Sequence, residues 1–185
     1  MPLKIAVVVG SLRAESFNRK LAGALTRLPA ASGHRFSFAD IGALPLYNQD
    51  DDSDQPAAAK ALKALVSSSD GVLFVTPEYN RSMPGVLKNA IDHGSRPYGE
   101  SCWAGKPAGV IGTSPGKPAT SMAQQHLRNV LAYLDMPTLG QPEAFVQWSD
   151  DLLAEDGSAS QASAEFLNGW MEAFVDLVEV HVPGD

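Results

Sequence analysis

Apolar and polar positions along this chain fall into two alternating patterns. Ile5-Ala6-Val7-Val8-Val9 is a continuous apolar run rich in β-branched residues. Such a run predicts a strand buried on both faces, as in a parallel sheet. Gly10 ends it. From Asn18 the apolar residues Leu21, Ala22, Leu25 and Leu28 share one face of a predicted helix. His34 to Asp40 alternates polar and apolar, with Phe36 and Phe38 on one side, and predicts a strand nearer a sheet edge. Ala57 to Ser69 predicts a helix with Ala61, Leu62, Leu65 and Val66 inward. Gly71 to Thr76 and Ala108 to Gly112 are two further buried runs, and Ala144-Phe145-Val146 marks a short last strand. Helical patterns cover Val86 to His93, Ser121 to Leu134 and Ala162 to Val180. In the last of these, Phe166, Leu167, Trp170, Phe174, Leu177 and Val178 are expected to face inward.

Five strand–helix units predict an α/β protein with a parallel sheet, helices on both faces and right-handed crossovers. At this length the expected arrangement is flavodoxin-like: a three-layer sandwich with a five-stranded sheet in the order 2-1-3-4-5. No repeat, low-complexity tract or linker divides the chain, so 1–185 is read as a single domain. Ligands of such sheets sit beyond the carboxyl ends of the strands, where the winding direction reverses. Three loops with unusual chemistry follow strands 1, 3 and 4, so they are expected to meet at one edge of the sheet.

The first loop, Gly10 to Asn18, offers the hydroxyls of Ser11 and Ser16, the amide of Asn18 and the guanidinium of Arg13. It lies between a buried strand and a helix N-terminus, where backbone N–H groups and the helix dipole favour an anion. These residues suit a phosphate cradle. They equally suit an ordinary turn in which Ser and Asn cap the helix. Neither G-x-x-x-x-G-K-[ST] nor G-x-G-x-x-G is present, which excludes a Walker A loop and the dinucleotide fingerprint. A single Gly followed by hydroxyl, guanidinium and amide groups favours a terminal phosphate monoester over a buried pyrophosphate.

Composition narrows the class. A hydrophobic fraction of 44% and a charged fraction of 19% over 185 residues suit one soluble, well-cored domain. A formal net charge of −7 argues against a nucleic acid or an anionic membrane as partner. No apolar run is long enough to span a bilayer, and Met1-Pro2-Leu3-Lys4 leads straight into the first strand, without a signal-peptide pattern. The single cysteine, Cys102, cannot form an intramolecular disulfide and fits a reducing cytoplasm. It reads as an incidental thiol in a loop. The acid run Asp50-Asp51-Asp52 lacks calcium-loop spacing and reads as a solvated loop, so no metal site is expected.

The motifs Gly10-Ser11-Leu12-Arg13 with Ser16-Phe17-Asn18, Pro77-Glu78-Tyr79-Asn80, Leu87-Lys88-Asn89-Ala90-Ile91-Asp92 and Leu127-Arg128 with Leu131 resemble the NAD(P)H-dependent FMN reductase family. This flavodoxin-like group includes quinone, chromate and azo-dye reductases. The likeness runs through nearly the whole chain in order. It implies an FMN cofactor, NADPH or NADH as co-substrate, a small electron acceptor and ping-pong hydride transfer.

The resemblance also implies roles. Ser11, Arg13, Ser16 and Asn18 match the phosphate-holding residues, with Phe17 counted among the cofactor-binding set. Pro77, Glu78, Tyr79 and Asn80 match the loop along the isoalloxazine, and Ser82 belongs to the same stretch. Ser114 and Gly116 match the loop on the pyrimidine side. Tyr79 either contacts the ring or caps the core, with contact the expectation. No protein acid or base is required, because the flavin carries the hydride chemistry; Glu78 is therefore read as a positioning residue. Two departures stand out. Gly116-Lys117-Pro118-Ala119-Thr120 is poorer in glycine than in relatives, and His93 stands where an aromatic is common. His93 is read as a half-buried interface residue. The segment Asp92 to Trp103, rich in His, Arg, Pro, Tyr and Trp, points to a homodimer or homotetramer. A flavodoxin-type electron carrier and a flavin-sensing module are the competing classes.

Overall fold

In the computed structural model, which describes residues 1–182, five strands form one parallel sheet in the order β2-β1-β3-β4-β5. The strands are β1 (Lys4–Val9), β2 (Arg35–Phe38), β3 (Gly71–Val75), β4 (Ala108–Ser114) and β5 (Phe145–Gln147). The helices are α1 (Phe17–Leu25), α2 (Ala57–Ser67), α3 (Gly85–Gly94), α4 (Ser121–Tyr133) and α5 (Ala164–His181). This is the flavodoxin-like arrangement expected from the alternating runs. The last three positions of the 1–185 reading lie outside the described residues. No helix among the described residues is long and apolar enough to cross a membrane.

The period of two along each strand divides the core into two layers. Ile5, Val7, Val9, Leu73, Val75 and Ile111 pack with Leu21 and Leu25 of α1 and with Trp170 and Phe174 of α5. Ala6, Val8, Val72, Phe74 and Val110 pack with residues of α2, α3 and α4. The apolar runs are continuous because both faces of the sheet are covered. Gly109 lies under α5: a side chain there would meet the Phe174 ring at 2.7 Å and Trp170 at 3.0 Å. Its lack of a Cβ lets the stacked pair Trp170–Phe174 close onto the sheet.

Several boundaries and faces differ from expectation. Leu28 lies beyond α1, in a turn leading to a 3₁₀ segment at Pro29–Ala31, yet is buried. β4 continues through Thr113 and Ser114, which read as loop, because it pairs with β5 there. Ala61 and Phe166 are exposed, so their helices bury narrower stripes than predicted. The connection before α2 contains a 3₁₀ helix, Gln49–Asp54. The Asn48 side chain accepts from the Asp50 amide there, and Asp50, Asp51 and Asp52 occupy the first turn, where a helix end favours negative charge.

Gly112 marks the closest approach between the ends of β3 and β4. A Cβ at this position would lie 2.0 Å from the Thr76 carbonyl oxygen. That neighbour is backbone, so relief requires moving a strand end. Gly112→Ala should therefore destabilise the fold by about 1–3 kcal/mol or more, read as a lowered urea midpoint with an unchanged slope. An unaltered midpoint would contradict this packing.

Candidate functional site

The strand order brings the loops after β1, β3 and β4 together at the carboxyl edge. The Gly10 amide donates to the Val75 carbonyl at 2.9 Å, and the Thr76 amide to the Ile111 carbonyl at 3.0 Å. Beyond these bonds the chain leaves the sheet, and each loop is then fixed by its own chemistry.

In the β1 loop, Ser16 is the N-cap of α1, its Oγ accepting from the Arg19 amide at 3.2 Å. The first turn of α1 contains no acidic residue. The amides of Phe17 and Asn18 have no intrahelical acceptor and find none elsewhere among the described residues. Arg13 is exposed, its guanidinium lies 5.3 Å from the Phe17 ring centroid, and it pairs with no acid among the described residues. The loop's acid, Glu15, is paired with Lys20 at 2.7 Å, and this partner holds its carboxyl below the usual range. Ser11 is half-buried at the mouth of the loop.

Asn18 differs from the sequence reading. Its side-chain amide donates to the Thr113 carbonyl and accepts from the Thr113 amide, each at 2.9 Å, and it is buried. Both polar ends of the side chain are therefore engaged inside the protein. Asn18 offers its backbone N–H to an anion, and its side chain ties α1 to the end of β4.

In the β3 loop, Pro77 is buried and Glu78 is half-buried. The Glu78 carboxylate accepts from the amides of Met122 and Ala123, each at 3.0 Å. Helix α4 has no side-chain cap from Thr120, so Glu78 caps it from a neighbouring loop. Glu78 is thereby a positioning group: it clamps the β3 loop to the helix that leaves the β4 loop. Tyr79 and Ser82 exchange two backbone hydrogen bonds, at 2.9 and 3.0 Å, around Asn80 and Arg81. Asn80 has φ 52° and Arg81 φ 67°, the left-handed pair of a type I′ turn. Tyr79 is exposed at the rim, at 52%, which excludes a core-capping role. Ser82 faces His126, with Oγ 3.0 Å from Nδ1.

In the β4 loop, the Ser114 Oγ accepts from the Gly116 amide at 3.3 Å. The glycine-poor stretch keeps a left-handed residue even so, because Ala119 adopts φ 50°. The rim thus retains a turn that glycine would adopt without strain. A fourth loop, after β5, also reaches the site. Trp148 stacks on Phe17 at 4.2 Å between centroids and 21° between planes, and its amide donates to the Ser114 carbonyl at 2.9 Å. Trp148 lies outside every motif read from the sequence; its partner Phe17 was the only available signal.

Two other residues are buried. His93, expected to be half-buried, is 2% exposed, with Nε2 2.9 Å from the Pro45 carbonyl. It helps fasten the connection before α2 to α3, together with Asn89, whose side chain accepts from the Tyr47 amide and donates to the Pro45 carbonyl, each at 2.8 Å. Cys102 lies in the loop after α3, as expected, and is buried there, which pushes its thiol up to about 12.

An unpaired guanidinium, a hydroxyl N-cap and free first-turn amides at one edge of a doubly wound parallel sheet fit a phosphate monoester. The Tyr79–Ser82 turn lies on the same edge and adds a rim of backbone groups.

Comparison with known proteins agrees. Residues 3–150 match the model of the NADPH-dependent FMN reductase family. The chain is 53% identical over 179 residues to a 2-hydroxy-1,4-benzoquinone reductase from Burkholderia, covering 96% of this chain and 97% of that one. It is 46% identical over 178 residues to a quinone reductase from Pseudomonas putida, covering 96% and 95%. Among solved structures, a flavoenzyme NAD(P)H:(acceptor) oxidoreductase from Paracoccus denitrificans superposes with a TM-score of 0.92 at 46% identity, covering 97% and 98%. The chain belongs to the NADPH-dependent FMN reductase family: it is an oxidoreductase that works with FMN and a nicotinamide nucleotide.

The pair of hydrogen bonds between Asn18 and Thr113 has a measurable consequence. Asn18→Ala leaves a buried N–H and a buried C=O without partners, a loss of about 2–4 kcal/mol. Differential scanning calorimetry of the flavin-free protein should show a fall in Tm of roughly 5–15 °C. If the Asn18 side chain served the phosphate instead, the flavin-free Tm would stay unchanged.

Proposed function

We propose that this protein oxidises NADPH or NADH and passes the electrons to a quinone-like acceptor by a ping-pong mechanism, as one FMN-binding domain spanning 1–185. FMN, when bound, supplies the hydride chemistry at its N5 position. The observation that carries this reading is the meeting of the β1, β3 and β4 loops, with an unpaired Arg13 and free α1 amides at one end. The names of the similar reductases support the quinone class.

Each residue then has a task. Ser11, Arg13, Ser16 and the amides of Phe17 and Asn18 hold the phosphate by charge-assisted and neutral hydrogen bonds. Pro77 stiffens the entry to the ring loop, and Glu78 fixes that loop by capping α4. Tyr79, Asn80 and Ser82 form the turn that would hold the ring's reactive edge, and Ser114 and Gly116 would hold its pyrimidine side. Backbone donors aimed there stabilise the negative charge that develops on reduction. No side chain acts as a general acid or base.

A flavin ring laid along the Pro77–Asn80 loop would have one face against protein, leaving the other for the nicotinamide and the acceptor in turn. No sequence motif selects one acceptor, so azo compounds, metal oxyanions such as chromate and free flavins join quinones as flat or compact electron-poor substrates. With acceptor fixed at several concentrations, double-reciprocal plots of the NAD(P)H oxidation rate should be parallel. Intersecting lines would contradict the shared face, and no oxidation with any acceptor would make the protein an electron carrier.

The enzyme is a homodimer or homotetramer, a reading supported by the face formed by α3, α4 and the segment after α3. Tyr98 and Tyr133 are exposed there, at 88% and 85%. A groove beside them is lined by Ile91, Arg96, Asn129, Val130, Tyr133 and Leu134. Aromatics and Arg are enriched in interface cores. A cytoplasmic setting follows from the single, unpaired cysteine, and the net charge of −7 disfavours nucleic acid and anionic membrane as partners. Light scattering at micromolar concentration should give two or four times the chain mass of 19.6 kDa. A monomer mass across that range would contradict the assembly.

A further inference from the structure

We infer that Trp148 is a positioning residue of the cofactor site, holding Phe17 and through it the Arg13 guanidinium ready for the phosphate. This rests on the reading of the β1 loop as a phosphate cradle. Trp148 follows the three-residue strand β5, and its own backbone is fixed: its amide donates to the Ser114 carbonyl at 2.9 Å. The neighbouring Gln147 side chain donates to the Pro115 carbonyl at 3.1 Å. The indole therefore starts from a braced backbone.

The half-buried indole packs almost parallel to the Phe17 ring, with centroids 4.2 Å apart. Phe17 is the first residue of α1, directly after the N-cap, so its ring stands beside the free amides of the first turn. The Arg13 guanidinium lies over that same ring at 5.3 Å from its centroid. Arg13 has no acidic partner among the described residues, so this aromatic contact is the one that orders it. A free arginine must surrender rotamer freedom when it grips an anion; one already resting on a ring surrenders less. Removing the indole leaves Phe17 unsupported on one side and loosens the platform under Arg13. The effect is directed at the phosphate end, because the stack joins Trp148 to Phe17 and Arg13, both beside the first turn of α1.

The test compares FMN with riboflavin, which lacks the phosphate, by flavin-fluorescence titration of flavin-free protein. Arg13→Ala should weaken FMN by about tenfold to a hundredfold and riboflavin by less than about twofold. Trp148→Ala should weaken FMN by about tenfold with riboflavin again nearly unchanged. The double variant should fall no further than Arg13→Ala alone, because both act through one contact. Trp148→Phe, which keeps an aromatic face, should restore FMN affinity to within about threefold. If Trp148→Ala is insoluble, Trp148→Leu keeps bulk without the ring and reads the same ratio. Unchanged FMN affinity in the Trp148 variants, equal weakening of both ligands, or losses that multiply in the double variant would overturn the inference. An unchanged FMN-to-riboflavin ratio in Arg13→Ala would instead remove the phosphate cradle itself.

Discussion

The pairing of the Asn18 side chain with both backbone groups of Thr113 holds the site together. The two residues are 95 positions apart, and the two bonds, at 2.9 Å each, are buried. Since β3 lies between β1 and β4, this contact spans the top of the middle strand. It sets where α1 begins relative to the end of β4, and so where the first-turn amides point. The bonds from Glu78 to Met122 and Ala123 do the same for the other half, joining the β3 loop to α4. Together they link the three loops into one frame before any ligand arrives. A frame fixed in advance is what electrostatic stabilisation of developing charge requires, since little reorganisation remains to oppose the reaction.

Charge is sorted within this frame. The whole chain is acidic, at −7. Yet the acids in the β1 and β3 loops both have partners: Glu15 pairs with Lys20, and Glu78 caps α4. Arg13, Arg81 and Lys117 in the same three loops pair with no acid among the described residues. The loops therefore present unpaired cations to solvent although the protein as a whole is negative. An anionic ligand would meet a favourable local field there, which a net charge alone would not reveal.

Fold and site were legible to different depths. The buried runs Ile5–Val9 and Gly71–Val75 could be read because strands covered on both faces need apolar residues at every position. Five alternating units pointed to a parallel sheet, and the chain length to the flavodoxin-like order 2-1-3-4-5. The loops after β1, β3 and β4 could be named because their polar residues have no place in a core. What the side chains bond to was not legible. Asn18 and Ser16 both suit a phosphate or a cap, and only the tertiary placement of Thr113 decides that Asn18 turns inward. Glu78 finds its partners on a helix 44 residues away. His93 is polar yet buried, because the carbonyl of Pro45 from a distant loop meets it. Trp148 follows a strand too short to announce itself, and its role depends on a ring 131 positions earlier. Phe166 carries the apolar signature of a core residue but faces solvent, since α5 meets the sheet along a narrower stripe than its sequence offers.

Hydrogen–deuterium exchange with and without FMN tests the central claim, that these loops form one cofactor site at the carboxyl edge of the sheet. The account predicts that FMN slows exchange in the segments 11–19, 77–82 and 114–120, with 145–150 following through Trp148. The groove beside Tyr133 and Leu134 should be unaffected at constant oligomeric state. Protection confined to that groove, or to the connection before α2, with the three loops exchanging as before, would contradict it.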